Sequence, residues 1–273
     1  MPNPAVPLSL AHLSELAVAP AELIPMAARA GFASVGLRTA PAAPGGVAYP
    51  LATASEQAAI RRLVADSGTS VVCVELISLS EATDPAAHAR MLEIGAAIGA
   101  SRVVVAGDSA DRGLVADKLA AIASIAQPLG LAIDLEFMPF RGIRSFEDAM
   151  AVLDLAEASN AHILVDALHV YRSGSALAAI ATAPRTRLGT FQLCDAPAKP
   201  PPPEGLVVEA RTHRLPAGEG GLPLGPLLDV MPDDVPIGVE VPMATLRPDL
   251  GPAERLALLA RMTQDYLAGR RAG

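Results

Sequence analysis

The chain has 273 residues, of which 51% are hydrophobic, and a formal net charge of −8 at pH 7. This length and apolar content suit one large α/β domain or two small ones, and the negative charge disfavours nucleic acid or an anionic membrane surface as a partner. The two cysteines, Cys73 and Cys194, form no CxxC or CxxH pair, which disfavours a disulfide framework and a structural zinc site.

The N-terminal segment does not resemble a signal peptide. It lacks a basic region, and His12 and Glu15 interrupt its apolar stretch. Nowhere does the chain contain the run of about 18 apolar residues that a membrane span needs. We therefore expect a cytoplasmic protein whose partner is a small-molecule substrate, with a homo-dimer or a homo-tetramer as the expected assembly.

Short β-branched runs alternate with Ala/Leu-rich amphipathic stretches along the whole chain. The predicted strands are 6–11, 33–38, 70–79, 101–108, 131–138, 161–169, 188–196 and 236–242. The predicted helices are about 21–30, a helix beginning near 55, 85–98, 114–127, 146–158, 176–180, 224–230 and 252–267. Such alternation favours parallel strands joined by right-handed crossovers.

Eight strand–helix units in a chain of this size are typical of a closed (β/α)₈ TIM barrel. An open doubly wound sheet is the alternative, but no G-x-G-x-x-G motif follows the first strand. The proline-rich segment 196–205 is expected to form a rim of the active site rather than a linker. We predict an α/β fold, a single (β/α)₈ domain covering residues 1–273.

Polar residues interrupt the last four predicted strands near their C-terminal ends. Alternate side chains of a barrel strand face the lumen, and this parity points Glu136, Asp166, Gln192 and Glu240 inward. Converging carboxylates in a low-dielectric cavity repel each other unless a cation neutralises them. Oxygen donors favour Mg²⁺ or Mn²⁺ over Zn²⁺, with Co²⁺ as a further alternative. The other interpretation is that these side chains only form hydrogen bonds to neighbouring strands or helix starts.

The segments LEFMPF, LVDALHVYRSG, FQLCDAP, HRLPAGEG and GVEVP, in this order and spacing, resemble the xylose isomerase-like TIM barrel superfamily of sugar-phosphate isomerases and epimerases. The similarity is specific in strands five to eight and extends to strands one to four only as a pattern. The resemblance implies that Glu136, Asp166, Gln192 and Glu240 bind the metal. Ketose 3-epimerases of the superfamily usually have His in place of Gln192, whereas hydroxypyruvate isomerase-like and 3-dehydroshikimate dehydratase-like members are more similar there.

The resemblance implies a metal-dependent isomerase or epimerase of carbohydrate metabolism that acts on a small hydroxy-carbonyl compound through an enediolate. It makes Glu136 and Glu240 acid/base groups as well as ligands. His169 is expected just above strand six, where it binds a substrate oxygen or carries a proton; capping a helix is its alternative role. The alternative functions are a dehydratase of the 3-dehydroshikimate or inosose type and an inactive barrel that serves as a binding module.

Basic residues are the candidates for binding the substrate. In similar proteins an arginine before the Gly-rich turn contacts the substrate, and here Arg211 and Arg214 are the alternatives, with His213 between them. A guanidinium suits a carboxylate or a phosphate. Arg172 and Arg38 are also candidates, although solvent exposure is the simpler expectation for both. The remaining pocket candidates are His12, Glu75 and Glu219.

Overall fold

In a computed structural model that describes residues 6–43 and 45–272, eight parallel strands close into a barrel in chain order, with β1 paired to β8. The strands are β1 (Leu8–Leu10), β2 (Ser34–Arg38), β3 (Ser70–Leu79), β4 (Arg102–Gly107), β5 (Ala132–Glu136), β6 (Ala161–Asp166), β7 (Leu188–Leu193) and β8 (Ile237–Val239). The predicted (β/α)₈ TIM barrel is confirmed.

Helices connect the strands around the outside of the barrel. They are α1 (Pro20–Ala30), α2 (Ala54–Ser67), α3 (Ala89–Ala97), α4 (Arg112–Ala126), α5 (Phe146–Ala156), α6 (Ala167–Ser173), α7 (Leu177–Thr182), α8 (Leu206–Thr212), α9 (Leu224–Val230) and α10 (Pro252–Ala272). Within the described residues, no helix combines the length and the apolar content needed to cross a membrane.

The main core lies between the strands and the helices. Val103, Val105 and Ile133 on the strands and Leu119 and Ile122 on α4 are completely buried in one apolar cluster. Each side chain of this size stabilises the fold by about 1.5–3 kcal/mol when fully buried. The packing of the helices against the strands fixes the strands relative to one another. It therefore also fixes the residues at the C-terminal ends of the strands.

A second apolar cluster fills the barrel interior. It consists of Leu76, Val104, Ala106, Met138 and Leu164. In register with Val104, Asp134 forms an ion pair with Arg102 (2.6 Å) and accepts a hydrogen bond from Thr190 (2.7 Å). The lumen below the C-terminal mouth is therefore packed, as is usual in TIM barrels.

Two short helices were not predicted. Strand β6 ends at Asp166 rather than at residue 169, because the Asp166 carboxylate accepts a hydrogen bond from the His169 backbone N–H (3.1 Å) and caps α6. Helix α8 lies between the predicted strand 188–196 and the predicted helix 224–230, where no helix was predicted. Its Glu209 pairs with Arg172 of α6 (2.7 Å), so a tertiary contact holds a segment whose helical pattern is too short to detect.

Candidate active site

Four oxygen-bearing side chains converge where the last four strands end. Glu136, Asp166, Gln192 and Glu240 are all buried, with 0–7% of their surface exposed. One ligand atom each from Glu136, Asp166 and His169 lie within 4.8 Å of one another. Gln192 Nε2 lies 3.5 Å from Glu240 Oε1. The structure thus brings all four predicted metal ligands and His169 to the same end of the barrel.

These residues fit a divalent cation. Gln192 Oε1 is buried and, within the described part of the chain, has no hydrogen-bond partner. An unsatisfied buried acceptor costs about 1–3 kcal/mol, and a cation among the carboxylates would remove that cost. Three carboxylates and an amide oxygen are the hard donors that Mg²⁺ and Mn²⁺ prefer.

The Arg214 side chain connects two of these carboxylates and is almost completely buried. It lies 2.6 Å from Asp166 Oδ2 through Nη1 and 2.8 Å from Glu240 Oε2 through Nη2, and its Nε donates to the Ala210 carbonyl (2.8 Å). Burial lowers the pKa of Arg214, but Asp166 and Glu240 outweigh this effect and raise that pKa well above its usual range. Arg214 therefore holds the carboxylates of Asp166 and Glu240 in place.

A turn held by Asp195 brings Arg214 to this place. Residues Asp195 and Leu215 form an antiparallel bridge, and the Asp195 carboxylate accepts hydrogen bonds from the backbone N–H groups of Gly218, Gly220 and Leu222. A Cβ at Gly220 would lie 2.3 Å from Asp195 Oδ1, so the turn requires glycine there. Asp195 was not predicted, although its position two residues after β7 is a signal for a residue at the barrel mouth.

The two carboxyl groups next to Arg214 differ in proton affinity. Burial raises the pKa of Glu240 to about 8; Arg214 opposes the rise, and the charges of Glu136 and Asp166 add to it. For Asp166, burial raises the pKa, but Arg214 and His169 outweigh burial, so its pKa lies below the usual range. Without a metal, the site therefore carries a proton on Glu240 at neutral pH.

Metal binding should release this proton. We expect Mn²⁺ binding to release about one proton per ion at pH 7, and the Kd to fall about tenfold per pH unit below the Glu240 pKa and to level off above it. Calorimetry in buffers of different ionisation enthalpy measures the proton count. Glu209→Gln, a buried carboxylate outside the cavity, should release as many protons as the wild type. A Kd that does not change between pH 6 and 8 would contradict this assignment.

The raised pKa of Glu240 also determines how its contribution to the folding stability changes with pH. The native pKa of Glu240 lies above its ordinary value of 4.5, so the folded state binds more protons than the unfolded state between these two pH values. The contribution of Glu240 to stability is therefore present below about pH 4.5 and is lost as the pH rises to about 8.

His169 presents a ring nitrogen to the Glu136 carboxylate. It lies on the first turn of α6, with Nε2 3.5 Å from Glu136 Oε1 and the ring edge-on to Phe140. Its Nδ1 is buried without a partner among the described residues. The imidazole lines the same cavity as Glu136 and Glu240, where it can exchange a proton with a bound molecule.

The Arg211 side chain also lines this cavity, whereas two other basic candidates lie outside it. The side chain of Arg172 is 3% exposed and bound to Glu209, so its expected exposure is wrong, and the contact favours a structural role. His213 is exposed, with Nδ1 3.1 Å from Thr212 Oγ1.

His12 is completely buried next to the barrel and does not line the cavity. Its Nδ1 accepts a hydrogen bond from the Arg38 backbone N–H (2.8 Å), and its Nε2 donates to the Val18 carbonyl (2.9 Å). With both ring nitrogens occupied, the contacts of His12 are those of a structural residue.

Two arginines of the mouth differ from the expectation. Arg38 is buried rather than exposed, because Glu75 on the neighbouring strand pairs with it at 2.8 Å. Arg141 was not predicted; it lines the cavity from the loop after β5 and pairs with Asp108. Arg141 lies five residues after Glu136, in the loop that follows the C-terminal end of β5. This position is a signal that could have identified Arg141 as a residue of the cavity. Exposed Glu219 pairs with Arg247 (3.1 Å), a contact that favours a structural role.

A larger cavity of about 950 Å³ lies at the opposite end of the barrel, next to Ser34 and Ser70, the first residues of β2 and β3. In the described residues, the one group of at least three His, Cys, Asp or Glu side chains that could hold an ion is at the C-terminal mouth. Barrel enzymes carry their chemistry at that mouth, so it is the candidate active site.

Comparison with solved structures identifies proteins of the same fold. One is a xylose isomerase-like TIM barrel/4-hydroxyphenylpyruvate dioxygenase fusion protein, with 19% identity and a TM-score of 0.78 over 95% of this chain; this chain spans only 42% of its length. The IolI protein with a bound zinc atom has 17% identity and a TM-score of 0.78, with 97% of this chain and 99% of IolI covered.

Two other solved structures carry names of enzymes. The probable 3-DHS dehydratase AsbF from Bacillus anthracis has 14% identity and a TM-score of 0.73, with 93% of this chain and 97% of AsbF covered. D-psicose 3-epimerase from Clostridium cellulolyticum H10 has 13% identity and a TM-score of 0.69, with 98% of this chain and 99% of the epimerase covered. At these identities the likeness shows the fold alone.

No curated protein sequence matches the chain. A family model described as "Xylose isomerase-like TIM barrel" matches residues 24–262, which is most of the sequence and includes all four converging side chains. The chain therefore belongs to the xylose isomerase-like TIM barrel family.

Proposed function

We propose that the protein is a divalent-metal-dependent isomerase or epimerase that acts on a small hydroxy-carbonyl, sugar-like molecule. The observation that supports this most is the buried group of Glu136, Asp166 and His169, with Glu240 and the unpartnered Gln192 oxygen at the same mouth of the barrel. Neighbours of the same fold that carry the names IolI and D-psicose 3-epimerase add support.

Glu136, Asp166, Gln192 and Glu240 would hold the ion, which when bound supplies a Lewis acid for a substrate carbonyl and its adjacent hydroxyl. Glu136 is the better candidate for the base that removes the α-proton. In the described structure no arginine pairs with Glu136, whereas Glu240 is bound to Arg214 at 2.8 Å. The Glu136 carboxylate is therefore open to a substrate proton, whereas Glu240 Oε2 already accepts from the Arg214 guanidinium.

His169 and three apolar side chains of the cavity complete the site. His169 Nε2 lies 3.5 Å from Glu136 Oε1, so the imidazole is next to the carboxylate that would take the α-proton. From this position it can exchange a second proton with a substrate oxygen. Leu76, Met138 and Phe140 line the same cavity. They exclude water, which strengthens the electrostatic interactions at the reacting atoms.

The second candidate is a dehydratase. It would use the same proton removal, but the β-hydroxyl would then leave as water, with His169 as the group that donates its proton. Gln192, in place of the His usual in ketose 3-epimerases, favours this reaction, and the solved structure of a probable 3-DHS dehydratase has the same fold.

Deuterium exchange separates these candidates. The Mn²⁺-loaded protein is incubated in D₂O with a panel of small hydroxy-ketones, aldoses and hydroxy-keto acids. An isomerase or epimerase incorporates deuterium at the α-carbon without loss of water, and a dehydratase produces the absorbance of a conjugated enone. If neither signal appears at saturating Mn²⁺, the proposal of an enzyme of this type is wrong and a binding module is favoured.

A further inference from the structure

The cavity of about 950 Å³ at the N-terminal end of the barrel, hereafter the N-terminal cavity, contains a row of three serines. Ser9, Ser34 and Ser70 all line it. They are register partners on the neighbouring strands β1, β2 and β3, Ser9 with Ser34 and Ser34 with Ser70. Because neighbouring strands lie about 4.8 Å apart, the three residues form a continuous row along one wall of the cavity.

Ser9 is the most deeply buried residue of this row. Leu8 and Leu10 belong to the core between the strands and the helices, and successive side chains of a strand face opposite sides, so Ser9 faces the barrel interior. Ser9 is only 7% exposed, and its hydroxyl group forms no hydrogen bond with another residue that the structure describes. Buried polar groups normally have a partner, so Ser9 indicates a partner that a ligand in the cavity would supply.

An acidic turn borders the same cavity. In the turn 232–235, the backbone N–H of the last residue donates to the carbonyl of the first (3.1 Å), which makes Asp233 and Asp234 its central residues. Both line the cavity. The turn leads into β8, which pairs with β1, the strand of Ser9. The acidic turn and the most deeply buried serine therefore lie on neighbouring strands.

The charged side chains of the cavity leave one carboxylate without an ion pair. Arg270 pairs with Asp229, and Arg185, from outside the lining, pairs with Asp234 at 2.7 Å. Asp233 has no cationic partner among the described residues. The cavity therefore favours a ligand with a positive charge, and it would repel a carboxylate or a phosphate.

An organic cation fits this cavity better than a metal ion does. In the described part of the chain, the one group of three or more His, Cys, Asp or Glu side chains close enough to share an ion lies at the C-terminal mouth. Leu228, Met231 and Val235 also line the N-terminal cavity. Apolar side chains of this kind contact the carbon skeleton of a small molecule.

We propose that the N-terminal cavity binds a small organic ammonium compound that has a second polar group. The ammonium group lies against Asp233, the second polar group forms a hydrogen bond with the serine row at Ser9, and an apolar body joins the two. A carboxylate accepts a charge-assisted hydrogen bond from an ammonium group, and a serine hydroxyl group can donate or accept. This binding is independent of the reaction proposed for the other end of the barrel.

Three probes of similar shape test the two contacts separately. They are 4-(2-aminoethyl)phenol; 4-(2-hydroxyethyl)phenol, in which a neutral hydroxyl group replaces the ammonium; and 2-phenylethylamine, which lacks the phenol. Calorimetry measures their affinities for the full chain in saturating Mn²⁺, so that a cation already competes for the acidic groups of the C-terminal mouth. We expect the aminoethylphenol to bind about three- to tenfold tighter than the alcohol and about two- to tenfold tighter than 2-phenylethylamine.

Matched variants assign each contact. Asp233→Asn should reduce the preference for the amine over the alcohol to less than about twofold, because the charge-assisted contact is lost, and should keep the preference for the phenol. Ser9→Ala should do the reverse, and Ser34→Ala, in the same row, provides a second test if Ser9→Ala does not fold. Asp249→Asn, the same charge change at an exposed position after β8, should alter neither preference.

The proposal fails if 4-(2-aminoethyl)phenol shows no saturable binding, or if the three probes bind equally. It also fails if the preference for the amine persists in Asp233→Asn, because the ammonium group then binds elsewhere on this acidic protein. If the preference for the phenol is unchanged in both serine variants, the serine row does not contact the ligand.

Discussion

Glu136→Gln lowers the rate of α-proton exchange by about 10²–10⁴-fold, the usual contribution of a positioned general base. The amide has nearly the shape of the carboxylate but cannot accept the proton, so the effect falls on the chemistry more than on packing. His169, at 3.5 Å from Glu136, keeps its position but has no base to act with. Deuterium incorporation at saturating Mn²⁺, followed by NMR, measures the change.

The matched control is Asp134→Asn, on the same strand two residues below. Asp134 also faces the lumen, but it is paired with Arg102 at 2.6 Å beneath the cavity. We expect this variant to unfold at a lower urea concentration and to exchange deuterium at the wild-type rate per folded molecule. Equal losses of exchange in the two variants, or a loss of less than about tenfold in Glu136→Gln, would contradict the role of Glu136 as the base.

Arg214→Met lowers the free energy of unfolding by about 3–5 kcal/mol in the presence of EDTA, since removal of one partner leaves buried charge uncompensated. Asp166 and Glu240 lose the guanidinium that contacts them at 2.6 and 2.8 Å. The loss should be larger at pH 9 than at pH 6, because protonation of the carboxyl groups relieves their repulsion. Urea unfolding at the two pH values measures it.

A metal ion should substitute in part for this missing charge. Mn²⁺ at 100 times its Kd stabilises a folded protein by about 2.7 kcal/mol, and we expect it to raise the unfolding midpoint of Arg214→Met at least as much as that of the wild type. Arg172→Met, which removes a similarly buried arginine from Glu209, should lose stability without any change in its response to Mn²⁺. If Arg214→Met lowers the free energy of unfolding by less than about 1 kcal/mol, the ion pairs of Arg214 contribute no more than exposed ion pairs do.

The positions of the four converging oxygen-bearing side chains could be predicted because a strand gives each side chain a direction. Successive side chains of a strand face opposite sides of the sheet, and this alternation directs Glu136 and Asp166 into the lumen. Parallel strands bring their C-terminal ends to one mouth of the barrel. The sequence of a strand was therefore enough to predict where the oxygen-bearing side chains of that strand lie.

Arg38 and Arg214 were candidates for binding the substrate, but their burial and their partners could not be predicted in this way, because loops and partners decide their positions. Arg38 is buried only because Glu75 of the adjacent strand neutralises it, a pairing that depends on the register between β2 and β3. Arg141 reaches the cavity from a loop, where no periodicity gives a direction. Arg214 depends on the turn that Asp195 holds through backbone N–H groups, and these contacts leave no pattern in the sequence.

The stoichiometry of Mn²⁺ in the wild type and in Glu240→Gln is the most direct measure of the metal site. We expect one ion per wild-type chain, and a loss of affinity in Glu240→Gln greater than the roughly 10–100-fold caused by changing a group behind a ligand. Glu209→Gln, with its carboxylate buried outside the cavity, should bind one ion as the wild type does. If the wild type binds no ion, or if Glu240→Gln binds it with unchanged affinity, the four converging side chains are not a metal site.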